Sequence, residues 1–138
     1  MPIGDIEKMV AVGLIWGATN AFMRKGAVIW DQKSLESSQS LQSASSNLHQ
    51  RILFTLKSYL NLFLTWQYSV PLILNLSASA SFFAILGHTS ISLAVPVTNA
   101  TTFAATAVMG ILLGEKTRLG YALFGTFLIV LGVWLCVM

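Results

Sequence analysis

Between Lys57 and Glu115 the chain carries no Lys, Arg, Asp or Glu, and from Leu119 to Met138 it again carries none. Long apolar stretches without charge are too costly to expose to water and read as membrane spans. Over the whole chain, 9% of residues are charged and 55% are hydrophobic, where a soluble domain carries about 25% charged residues. These values exclude an ordinary water-soluble domain. They also exclude a disordered chain, which needs low hydrophobicity and high net charge. Four spans of about 20 residues would take roughly 80 residues. The 138 residues then leave room for one long loop and short turns, and none for a separate soluble domain. The expected fold class is all-α: a polytopic membrane protein with four transmembrane helices and an amphipathic interfacial helix, in one domain over 1–138.

The spans are placed at about 8–24, 68–87, 92–113 and 119–138. The first is short: its apolar run, Met9 to Met23, lies between Lys8 and Arg24-Lys25, whose long side chains can snorkel to the interface. Residues 31–50 mix Asp, Lys, Glu, Gln and His with seven serines and predict a solvated, flexible Ser-rich loop. In 51–67, Ile52, Leu56, Tyr59, Leu60 and Phe63 recur at helical spacing, with Arg51, Lys57, Ser58 and Asn61 filling the rest. That pattern predicts an amphipathic helix, either lying in the interface or extending the second span. Pro71 is expected in the first turn of the second span, where a missing N–H costs little. Pro96 is read either in the first turn of the third span or inside it, where it would free a carbonyl near Asn99.

The basic residues orient the spans. Arg24, Lys25, Lys33, Arg51, Lys57, Lys116 and Arg118 fall in the first and third connections; Lys8 stands alone on the other side. The positive-inside rule puts both connections in the cytoplasm and both termini in the lumen or outside the cell. The net charge of +3 thus points to the lipid bilayer as partner. No basic cluster with interleaved aromatics suggests nucleic acid. Cys136, the sole cysteine, allows neither an intrachain disulfide nor a zinc cluster. The first apolar stretch ends in Arg24-Lys25, not in a small-residue cleavage site, so no removable signal peptide is expected.

No catalytic motif appears and the two histidines lie in different connections, so neither an enzyme, a cofactor nor a metal site is expected. The informative residues are polar ones inside the spans. Asn20, Asn75 and Asn99 carry primary amides that need several partners in hydrocarbon. Asn99, Thr102, Thr106 and Gly110 share a helical stripe. Two readings stand. In one, Asn20, Asn75, Asn99 and Thr102 line a polar cavity for a small solute. In the other, these groups and their neighbouring serines and threonines bind helix to helix. Gly125 and Gly132, seven residues apart, mark a helix-packing or dimer face, and a homodimer is expected because four helices make a thin bundle. None of the five acidic residues is mid-span, which argues against carboxylate-dependent cation antiport and for a neutral solute, an anion near Arg24-Lys25, or no transport.

Leu14-Ile-Trp-Gly-Ala-Thr-Asn20 followed by Arg24-Lys25, Leu93-Ala-Val-Pro96, Gly110-Ile-Leu-Leu-Gly-Glu115, and Gly125 with Leu131-Gly-Val133 together carry a resemblance. The chain resembles the transmembrane protein 234 family, and more distantly the EamA-type and small multidrug resistance-like members of the drug/metabolite transporter superfamily. The resemblance implies a four-helix bundle and a multi-pass protein of transporter type, in a superfamily that often transports as dimers or fused repeats. It departs from the small multidrug resistance pattern where a first-span glutamate is replaced by Trp16-Gly17. The alternative to transport is a membrane scaffold or accessory subunit whose long loop docks a cytosolic protein.

Overall fold

A computed structural model describes residues 3–41 and 47–138, and it contains five helices and, among these residues, no strand. They are α1 (Ile3–Leu41), α2 (Leu48–Leu64), α3 (Trp66–Leu86), α4 (Ile91–Leu112) and α5 (Leu119–Val137). Three are long and apolar enough to cross a membrane: α3, α4 and α5. α1 is the longest, at 39 residues, but its charges interrupt the apolar run at both ends.

The predicted loop over 31–50 needs correction. α1 continues through residues 31–41, and α2 begins at Leu48; residues 42–46 lie outside the described part. Gln, Lys, Glu and Leu are good helix formers and serine is only mildly unfavourable, so a solvated composition does not by itself break a helix already nucleated upstream.

The chain divides into two compact units, one of Met1–Ala21 with Ile73–Met138 and one of Phe22–Leu72. In the second, the C-terminal half of α1 packs against α2. Trp30 donates its indole N–H to the Ser58 carbonyl at 3.2 Å and stacks on Tyr59 with ring centroids 6.0 Å apart. Ser34 and Ser58 hydroxyls meet at 3.4 Å. Leu62 is buried, whereas Ile52, Leu53, Leu60 and Leu64 stay exposed along the apolar side of α2. Thr65 is extended and separates α2 from α3, so the amphipathic helix is an element of its own. α3 therefore starts at Trp66, and Pro71 lies in its second turn, not its first. The carbonyl that Pro71 deprives of a donor is that of Gln67. Gly26 of α1 lies against it: a Cβ at Gly26 would stand 3.2 Å from the Gln67 oxygen. Trp30→Ala removes both the hydrogen bond and the ring contact, worth about 2 kcal/mol together. Hydrogen exchange of the α2 amides should accelerate roughly thirtyfold, with the α4 amides unaffected.

In the first unit, α1 and α4 run side by side in the same direction. Gly13 lies against Thr98 and Thr101, and Gly17 against Thr102, Ala105 and Thr106. Two glycines four residues apart let the backbones approach closely, which is how helices associate without a hydrophobic driving force. Met9, Val12, Ala94, Thr98, Thr102 and Ala105 are buried along this seam or beside it. Pro96 lies in the second turn of α4 and the helix runs on through it. Gly114, at φ +87°, makes the turn after α4, in a conformation that glycine adopts without a Cβ penalty. α5 follows with none of its span buried.

Candidate polar site between the first and third helices

α1 and α3 run antiparallel and meet at a polar knot midway along their apolar stretches. Asn75 is its centre. Its side-chain amide donates one proton to the Thr19 hydroxyl at 2.8 Å and the other to the Asn20 side-chain carbonyl at 3.2 Å. Thr19 passes its own proton to the Ile15 carbonyl at 2.7 Å. The Asn75 backbone carbonyl accepts twice, from the Ser79 hydroxyl at 2.9 Å and from the Trp16 indole N–H at 3.2 Å. Trp16 Nε1 also lies 3.2 Å from Ser79 Oγ, and its ring packs on Phe82 with centroids 5.1 Å apart. Two groups of the knot are unfilled. Among the described residues, Asn75 Oδ1 accepts no hydrogen bond and Asn20 Nδ2 donates none. A neutral solute carrying both a donor and an acceptor would satisfy them.

Of the residues expected to line one cavity, Asn20 and Asn75 are thus brought together, and Asn99 and Thr102 lie elsewhere. Thr102 is buried in the α1–α4 seam and spends its proton on the Thr98 carbonyl at 2.8 Å. Asn99 is on the exposed side of α4, without a partner among the described residues. The predicted stripe Asn99–Thr102–Thr106–Gly110 splits for this reason: Gly13 and Gly17 select the Thr98–Thr102 side of α4. The space beside Gly125 and Gly132 is open, so the close internal contact is made by Gly13 and Gly17 instead. Trp16, too, was legible only as part of a motif; the i, i+4 spacing of Asn75 and Ser79 on the facing helix was the available signal for its partner.

One turn from the knot, on the same two helix faces, a cleft of about 540 Å³ opens between α1 and α3. Val12 and Ile15 line it from α1, Ala78, Ser81 and Ile85 from α3. Asp5, Lys8 and His88 stand at its mouth. Among the described residues no three of His, Cys, Asp and Glu lie close enough to share a metal ion.

The family model described as "Putative transmembrane family 234" matches residues 9–137. The chain belongs to this family. The knot, the Gly13–Gly17 seam and most of the cleft fall within the matched residues. A transmembrane protein 234 homolog of Dictyostelium discoideum is 32% identical over 133 residues, covering 96% of this chain and 94% of the relative. A homolog from Anopheles gambiae is 32% identical over 132 residues, covering 95% and 84%. No solved structure matches. This transmembrane protein 234 family member is therefore a membrane protein with apolar helices long enough to span.

Proposed function

We propose that this protein is a small-solute transporter of drug/metabolite type, working as a homodimer around a polar intramembrane site, with α1 as a fourth span. One observation carries the reading: Asn20 and Asn75, within the apolar run of α1 and at the middle of α3, keep a donor and an acceptor unfilled. Leaving an amide group unbonded in hydrocarbon costs roughly 2–7 kcal/mol, so a partner is expected. Asn99, exposed at mid-helix on α4, makes the same demand on a second copy or on a solute. The exposed α5 glycines fit a face where two copies approach.

Met9 to Met23 spans about 22 Å as a helix, short of the hydrocarbon thickness, and Lys8, Arg24 and Lys25 at its ends make up the difference by snorkelling. The seven-to-one basic bias supports cytoplasmic Arg24–Lys57 and Lys116–Arg118 connections, with lumenal or extracellular termini. All five carboxylates are described, and each lies towards a helix end or beyond an apolar run. That favours an uncharged solute over a proton-coupled cation.

The experiment is flux of uncharged polar solutes into liposomes holding the purified protein. Wild type is expected to move at least one of them above the protein-free rate, and Asn99→Leu to lower that rate about tenfold while remaining folded. Absence of flux across a broad panel favours the scaffold alternative, in which the polar groups only join helices.

A further inference from the structure

The cleft between α1 and α3 is apolar along its walls and ionic at its mouth, and nothing in the transport reading uses that combination. Its depth is set by the run from Lys8 to Ile15 on α1, about 10 Å of helix. That suits part of an acyl chain and not a compact polar solute. Among the described residues, the mouth holds one carboxylate, one ammonium and one imidazole. Asp5 is the unusual member. Its side chain is only 22% exposed, and its partner among the described residues is Lys8 Nζ at 3.8 Å, beyond direct hydrogen-bond distance. The first-turn position favours a carboxylate through the helix dipole, but does not supply the missing donor. Lys8, by contrast, is 66% exposed and has donors to spare, and His88 is exposed beside it.

We infer that the cleft binds a zwitterionic aminophospholipid: a chain between α1 and α3, the phosphate on Lys8 and His88, and the primary ammonium on Asp5. The charge order selects this class. A purely anionic head would leave Asp5 without a donor and facing a like charge. A quaternary ammonium head offers no N–H to it. Such lipid binding is independent of transport, since only equilibrium occupancy of the cleft is required.

Trp16 is the reporter, next in sequence to Ile15 of the cleft wall. In detergent micelles, a full-length variant with Trp30, Trp66 and Trp134 changed to Phe is titrated with phospholipids brominated in the chain. Phosphatidylethanolamine should quench Trp16 with a midpoint about fivefold below those of phosphatidylcholine and phosphatidylglycerol. Asp5→Asn should raise that midpoint about fivefold, and Ala78→Phe, which fills the cleft, should abolish saturable quenching. Equal midpoints for the three headgroups, or quenching unchanged by Ala78→Phe, would mean bulk lipid contact and overturn the assignment. A lower midpoint for phosphatidylglycerol would overturn the zwitterion. If the triple variant does not fold, native mass spectrometry of the wild type decides: a phosphatidylethanolamine adduct retained by wild type and lost in Asp5→Asn supports the site, and no retained adduct overturns it.

Discussion

Gly17→Ala should destabilise the protein by about 2–3 kcal/mol, although alanine is the better helix former by about 1 kcal/mol. The reversal of sign comes from the seam. A Cβ on Gly17 would meet the Ala105 methyl and stand 2.8 Å from both the Thr102 carbonyl oxygen and the Thr106 amide nitrogen. Two of those atoms are backbone and cannot rotate away, so α1 must move off α4. The Thr106 hydroxyl, 3.4 Å from the Gly17 carbonyl, would lose that contact as well. Gly17→Val should cost more, and Gly13→Ala about as much as Gly17→Ala, since Thr101 Cβ lies at 2.6 Å and the Thr98 oxygen at 2.8 Å. Gly120→Ala is the control. Nothing lies near it, and only the propensity gain should remain. Denaturation of purified protein in mixed micelles, followed by helical circular dichroism, measures all four. A Gly17→Ala midpoint at or above that of wild type would mean that the close α1–α4 approach is not present in the membrane protein.

On the proposed transport reading, Asn75→Leu should lower flux at least a hundredfold and leave a folded protein. Leucine keeps the branched outline of asparagine in a bulkier side chain, and both side-chain protons that hold Thr19 and Asn20 disappear. The stability loss should be about 1–2 kcal/mol, the usual worth of interhelical hydrogen bonds in a bilayer. The backbone carbonyl of residue 75 keeps its bonds to Trp16 and Ser79, which is why the fold survives. Flux should fall at least a hundredfold, because the free acceptor at Asn75 Oδ1 is lost and Asn20 is no longer oriented. If Asn75→Leu transports as wild type does, the knot is only an adhesive and the solute site must be sought elsewhere.

The membrane class and the apolar helices were legible from charge distribution alone, since a charge in hydrocarbon is costly enough to be nearly absent from spans. Pairing was harder to read. The glycines of α5 are as visible in the sequence as those of α1, yet Gly13, Gly17 and Gly26 of α1 have a helix against them and Gly120, Gly125 and Gly132 of α5 have none. Spacing shows that backbones can approach; it does not say which neighbour comes. The asparagines were similarly partial. Asn20 and Asn75 meet because α1 and α3 run antiparallel with their apolar runs in register. Asn99 falls on the far side of a helix whose rotation is fixed by the glycine seam. Polarity reports solvation, and the solvated 31–41 stretch, built of ordinary helix formers, continues α1.

The parallel pairing of α1 with α4 also sets an order in time. Gly17 and Thr106 are 89 residues apart, so the seam cannot close until α4 has been made. At about 5–20 residues per second of synthesis, that is a delay of roughly 4–18 seconds. Trp16 and Ser79 are separated by 63 residues, so the knot with α3 can form earlier. During the interval the bare glycine face of α1 is open to any other helix in the membrane. The hydrogen bonds of Asn75 are then available to hold the first helix to its own chain until α4 is made.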